Sequence, residues 1–159
     1  MEKYYKHILV PLDGSELAEV ALTDALALAR LSLGEVTLLK VLKVILPIEG
    51  VIEIGTHDAI YVDEIWQINK KQALEYLESV RDRISNEPFK VHVVVEMGPA
   101  AETIIDYARK HPVDLIVMAT HGHSGLKRWV YGSVADKVLR GSHLSVLLVR
   151  SFPEKRETD

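Results

Sequence analysis

The residues best suited to chemistry lie together between Ala119 and Ser133. There Thr120-His121-Gly122-His123-Ser124-Gly125 leads through Leu126-Lys127-Arg128-Trp129-Val130-Tyr131 to Gly132-Ser133. Glycines let backbone N–H groups approach an anion closely, and a helix opening at Gly132-Ser133 offers unpaired N–H groups and the positive end of its dipole to a phosphate. Ser133 can add a hydroxyl donor. A plainer reading stands beside this one, in which Gly122 and Gly125 serve turns and Ser133 only caps the helix; helix grammar leaves the two balanced. Lys127 and Arg128 either offset phosphate charge or are ordinary exposed cations. His121 and His123 form a pair with no clear third ligand, so hydrogen bonding to an anion is favoured over a transition-metal site. Mg²⁺ bridging phosphate oxygens needs few protein ligands and is the metal that fits better.

Several other chemistries are excluded. With no cysteine in 159 residues there is no disulfide framework, thiolate nucleophile or cysteine-ligated metal centre. Ser133, His121 and Asp13 contain the residue types of a hydrolase triad, but no G-x-S-x-G elbow accompanies them, and a hydroxyl inside a helix N-terminus is better placed to bind than to attack. Neither a P-loop nor a G-x-G-x-x-G fingerprint is present, which disfavours P-loop ATPase and dinucleotide dehydrogenase readings. Nineteen basic against 23 acidic residues give a formal charge of −4, so no broad nucleic-acid surface is expected. No apolar run is long enough to span a membrane, and Met1 to His7 carries no secretory pattern, so the expected location is cytoplasmic.

The elements that must hold these residues alternate. His7 to Leu12 reads as a buried strand closed by Asp13-Gly14-Ser15, and Ser15 caps a helix running to Ser32 with Gly34 as its stop. Glu35 to Leu42 predicts strand two, Asp63 to Ser85 a long helix, and Phe89 to Glu96 strand three. A helix opening at Gly98-Pro99 runs to Lys110. Asp114 to Ala119, Ser133 to Arg140 and Ser145 to Arg150 complete a strand, a helix and a fifth strand. This alternation predicts one α/β domain over residues 1–150 with a mostly parallel sheet and a charged tail at 151–159. Lys43 to Val62 has no clean period and is unusually apolar, so it is expected to find cover from a ligand, a second subunit or a short helix of its own. Ligands of such sheets bind at the carboxyl ends of strands, which selects Pro11-Leu12-Asp13, the residues after Val41, and Ala119 onward.

A strand followed by a Gly-x2-Gly-x9-Gly-Ser/Thr loop, a helix and a strand resembles the nucleotide-binding signature of the universal stress protein family. Here Gly122, the nine residues His123 to Tyr131, Gly132 and Ser133 match it, and Val10 to Ser15 is similar to the family's opening strand and turn. The resemblance covers residues 3–150. It implies a Rossmann-like open five-stranded parallel sheet of order 3-2-1-4-5, with helices on both faces. One position departs: Ala119 stands where the signature has its first glycine. Its methyl weakens binding if it meets the ribose or phosphates, and changes little if it packs within the sheet.

The resemblance implies an ATP or related adenine-nucleotide site, with Mg²⁺ accompanying the phosphates. Pro11, Leu12 and Asp13 would line the adenosine, with Asp13 near the ribose or a metal; an Asx turn is the equal alternative for Asp13. Val41 would meet adenine through its backbone, and Met118 and Ala119 would form the floor. His121, Gly122, His123, Ser124 and Gly125 would wrap the phosphates, to which Gly132, Ser133 and Val134 would donate. Strand five, at a sheet edge in the family's arrangement, implies a homodimer through Ser145 to Arg150. The expected role is regulatory or protective in stress, with Lys43 to Val62 acting as a lid whose protease sensitivity changes with ATP. A slow ATP hydrolase and a nucleotide-free interaction module are the alternatives.

Overall fold

The computed structural model describes residues 5–43, 56–120 and 132–150, with side chains of the third helix described from Val62 onward. Five strands, β1 (His7–Pro11), β2 (Glu35–Leu42), β3 (Val91–Met97), β4 (Leu115–Ala119) and β5 (Ser145–Val149), form one sheet of order β3-β2-β1-β4-β5. Every neighbouring pair is parallel. The helices are α1 (Glu16–Glu19), α2 (Ala21–Ser32), α3 (Thr56–Arg83), α4 (Ala100–Lys110) and α5 (Ser133–Gly141). The expected order and the edge position of strand five are both borne out.

Successive strand residues point to opposite faces, and two cores follow from that alternation. Ile8, Val10, Val36, Leu38, Leu115 and Val117 pack with Ala21, Leu22 and Ala25 of α2 and with Leu77 and Val80 of α3. Leu9, Leu39, Ile116 and Met118 pack on the other face against Ala101, Ile104 and Ala108 of α4 and Ala135 and Val138 of α5. All five residues of β1 and all five of β4 are buried, as central strands covered on both faces must be. Each fully buried Leu, Ile or Val contributes about 1.5–3 kcal/mol, so these strands carry much of the stability of the described core.

The central pair parts at one end. β1 pairs with β2 from His7↔Glu35 to Pro11↔Leu39, but with β4 only at Ile8↔Leu115 and Leu9↔Ile116. Leu12 N–H donates to Leu39 C=O, so the alternation along β1 turns the N–H position of residue 11 toward β4. Proline has no N–H to waste there, and it stands where the β1–β4 ladder has ended. Because the chain leaves β1 toward β2 while β4 lies on the other side, this parting is the point at which strand order reverses.

Three local expectations need correction. The first helix is two pieces, since the N–H of Val20 turns to Ala18 C=O between α1 and α2. Leu33, not Gly34, takes the left-handed conformation ending α2, at φ 49°. Gly34 serves close approach instead: a Cβ there would lie 2.7 Å from Lys6 O and 2.8 Å from Tyr5 O. The third helix starts at Thr56 rather than Asp63, so part of the segment expected from Lys43 to Val62 is helical; residues 44–55, and with them the lid expectation, lie outside the described residues.

Candidate nucleotide site

A cavity of about 420 Å³ opens where β1 and β4 part. Pro11, Leu12, Leu39, Val41, Met118 and Ala119 come to it from the strand ends, Ala100 and Ile104 from α4, and Gly132, Ser133, Val134 and Ala135 from the start of α5. Asp13, Ala18, Lys43 and Thr120 complete the lining. All nine described residues selected from the sequence are among these. His121, Gly122, His123, Ser124 and Gly125 lie outside the described residues, as do Lys127 and Arg128.

The polar equipment is mostly backbone. Gly132 is the N-cap of α5 and supplies no side-chain capping bond; the first intrahelical bond runs from Asp136 N–H to Gly132 C=O at 3.0 Å. The N–H groups of Ser133, Val134 and Ala135 therefore have no acceptor within the helix, and they stand at the cavity wall. Ser133 occupies the first helical position, not the cap, so its exposed hydroxyl is not spent on capping. Asp136, the acidic residue of that first turn, is engaged by Arg140 Nε at 2.9 Å, which tempers its charge near the helix start. Gly132 N–H donates to Thr120 C=O at 2.7 Å, and Thr120 N–H donates to Val149 C=O at 2.9 Å. These two bonds fix both ends of the glycine loop against the sheet.

The helix that follows β1 is arranged differently. Ser15 Oγ accepts from Ala18 N–H at 3.1 Å, closing the start of α1, and Glu16 and Glu19 lie in its first turn. Asp13 Oδ1 accepts from Ser15 N–H at 2.9 Å and from Ser15 Oγ at 2.6 Å, which is the Asx turn that stood as the alternative reading. The turn does not remove Asp13 from the cavity, since the residue still lines it. Gly14, at φ +94°, carries the chain through the left-handed region that Asp13-Gly14 requires.

Ala18, Leu39, Lys43, Ala100, Ile104, Thr120 and Ala135 also line the cavity without having been named as site residues from the sequence. Lys43 and Thr120 fall within the segments the strand-end rule selected, after Val41 and from Ala119 onward. Ala100 and Ile104 belong to α4, whose docking beside the cavity no local motif announces. Ala119 is buried and lines the cavity.

A second cavity of about 460 Å³ lies at the opposite end of the strands, around His7, Glu35, Thr37, His92 and Tyr107. Its polar groups are largely joined to one another. His7 Nε2 shares a 2.7 Å hydrogen bond with Thr37 Oγ1, and Glu35 Oε2 lies 2.9 Å from His92 Nε2. Burial pushes the His7 imidazole below its ordinary value, with Glu35 opposing, while the His92 bond holds the Glu35 carboxyl low. Among the described residues no group of His, Cys, Asp or Glu side chains is arranged to hold a metal ion, and no helix is long and apolar enough to cross a membrane.

Residues 4–150 match the family model of the universal stress proteins. Universal stress protein MJ0531 of Methanocaldococcus jannaschii is 34% identical over 158 residues, covering 97% of this chain and 86% of its own. The solved structure of MJ0577 from the same organism superposes with a TM-score of 0.79 at 30% identity, covering 96% of this chain and 100% of the other. Two more distant structures share the fold. A universal stress protein in complex with cAMP has a TM-score of 0.66 at 20% identity, covering 94% of this chain and 100% of its own. A family protein from Arabidopsis thaliana with AMP bound has a TM-score of 0.65 at 14% identity, covering 97% of each chain.

Proposed function

The chain belongs to the universal stress protein family, and we propose that it binds ATP or a related adenine nucleotide in the cavity between β1 and β4, as a regulatory or protective cytoplasmic homodimer. The observation that carries this reading is the pairing of an apolar strand-end floor with the open N–H groups of α5 in one cavity of about 420 Å³. Adenine is flat and apolar on its faces, and Pro11, Val41, Met118 and Ile104 supply surfaces of that kind. Val41 offers backbone groups to the base edge, and Asp13 supplies a carboxylate for ribose hydroxyls. Phosphates would sit at the start of α5, where Ser133 and Val134 N–H groups and the helix dipole favour negative charge. On the sequence expectation Gly122, His123, Ser124 and Gly125 would wrap them, and Mg²⁺, if it accompanies the nucleotide, would offset phosphate charge. The cAMP and AMP complexes of distant relatives support an adenine nucleotide as the ligand class.

β5 supports the dimer. It stands at a sheet edge, Val146 to Val149 are apolar, and Leu147 is among the exposed large hydrophobic residues. An edge of that composition pairs with its own copy about a twofold axis. Sedimentation equilibrium should return twice the chain mass. Mass spectrometry of the supernatant from heat-denatured purified protein should release an adenine nucleotide. Phosphate release from ATP should not exceed that of a Gly132→Asp control; clear turnover above it would establish the hydrolase alternative.

A further inference from the structure

Beneath the Asp13 turn, outside the cavity, a cation is built into the fold. Lys40 lies in β2 between Leu39 and Val41, the two cavity-lining residues, so its side chain leaves the opposite face of the sheet. Its Nζ donates to the Asp13 carbonyl at 2.8 Å and sits 4.9 Å from the centre of the Tyr76 ring. Tyr76 is anchored in turn: its hydroxyl donates to Glu19 Oε1 at 2.8 Å, and Arg83 Nη2 donates to Glu19 Oε2 at 2.7 Å. Burial pushes the Lys40 amine below its ordinary value, with the Asp13 charge acting against that shift. Half-burying an ammonium carries a desolvation cost, which the bond to the Asp13 carbonyl and the Tyr76 ring offset here. Gly14 lies beside the same head group: a Cβ there would lie 2.8 Å from Nζ, although what requires glycine is its φ of +94°.

We infer that Lys40 is a positioning residue for the nucleotide site, holding the Asp13 carbonyl so that the carboxylate of Asp13 faces the ribose. This rests on the nucleotide reading of the cavity. Gly14 makes the peptide plane between residues 13 and 14 easy to rotate, and Asp13 Oδ1 accepts from Ser15 N–H and Oγ within the same turn. Internal turn bonds move with the turn; the Lys40 bond anchors it to β2, whose register with β1 is fixed along five pairs. The cation over the Tyr76 ring further restricts where Nζ can lie. Through Tyr76 and Arg83 the same anchor joins the turn to α3.

Lys40→Met retains the apolar stem under the turn and removes the ammonium. By calorimetry its dissociation constant for ATP should rise about ten-fold, the size of effect that follows from losing one hydrogen bond to a charged group. In nucleotide-free protein, exchange of the Ser15 amide should quicken, and Lys40→Arg, which again offers a cationic donor, should recover part of the protection. Unchanged Ser15 exchange in Lys40→Met overturns the inference whether or not nucleotide binds. Faster exchange with wild-type ATP affinity also overturns the positioning role and leaves the cavity reading intact. A folded wild-type protein that binds no ATP, AMP or cyclic AMP overturns the cavity reading and the inference with it.

Discussion

The two ends of the sheet treat their polar groups in opposite ways. At the amino end, His7, Thr37, Glu35 and His92 bond one another, and Asp114 Oδ2 accepts from Lys6 N–H at 2.8 Å. The chief exception is His7 Nδ1, buried without a hydrogen-bond partner and 3.5 Å from Glu35 Oε1. At the carboxyl end, the side chains lining the cavity are mostly apolar, and uncapped backbone N–H groups at the starts of α5 and α4 stand beside it. Both ends enclose cavities of similar volume, about 460 and 420 Å³. Volume therefore does not distinguish a ligand site from a groove; the state of the donors does. Backbone N–H groups at a helix start keep their direction without a ligand, so binding an anion there requires little reorganisation.

The sharpest way to break the comparison is to make the carboxyl end resemble the amino end. Gly132→Asp places a carboxylate at the N-cap of α5, where it accepts from the helix N–H groups and repels phosphate. Calorimetry should show ATP affinity falling about a hundred-fold or more, since both a donor set and a favourable charge are lost. The melting temperature should hold or rise slightly, because Asp is a better N-cap than Gly by only about a few tenths of a kcal/mol. Loss of binding together with unfolding would instead assign Gly132 a structural role.

Smaller changes sharpen it. Ser15→Ala removes the cap that closes α1, and should cost about 1 kcal/mol, or about 2–4 °C in melting temperature for a chain of this size. Its effect on ATP affinity should stay well below that of Gly132→Asp, because α1 is closed by its own residues. At the amino end the change is one of pH. Burial lowers the His7 pKa in the folded state, so the unfolded chain takes up the proton more readily as pH drops below about 6.5. Stability contributed by neutral His7 is complete above that value and is lost progressively as pH falls from it through the lower folded value. Urea midpoints measured between pH 7.5 and 5.5 should decline, and His7→Gln should flatten the decline. An equal slope in the variant would place the pH dependence elsewhere.

The carboxyl end was legible in the sequence because its signals are local. Gly132-Ser133, Asp13-Gly14-Ser15 and the apolar strand ends each declare a turn, a cap or a buried strand within a few residues, and the strand-end rule brings them together. Glu35–Leu42 was readable to the residue for the same reason, through its β-branched run. What was missed depends on distant contacts. Nothing near Lys40 shows that its ammonium meets Asp13, which is 27 positions earlier. Nothing near His7 shows that it joins Thr37 and Glu35, and the helical start at Thr56 precedes the clear apolar period of α3. Ala100 and Ile104 reach the cavity only through the packing of α4 on the sheet.

The central claim is that open backbone donors beside an apolar floor make the carboxyl end an adenine-nucleotide site. Titration calorimetry of the nucleotide-stripped wild-type protein with ATP tests it most directly. The account predicts saturable heat with one nucleotide per chain, abolished in Gly132→Asp at unchanged or raised melting temperature. A folded wild-type protein giving no saturable heat with ATP, AMP or cyclic AMP would contradict it.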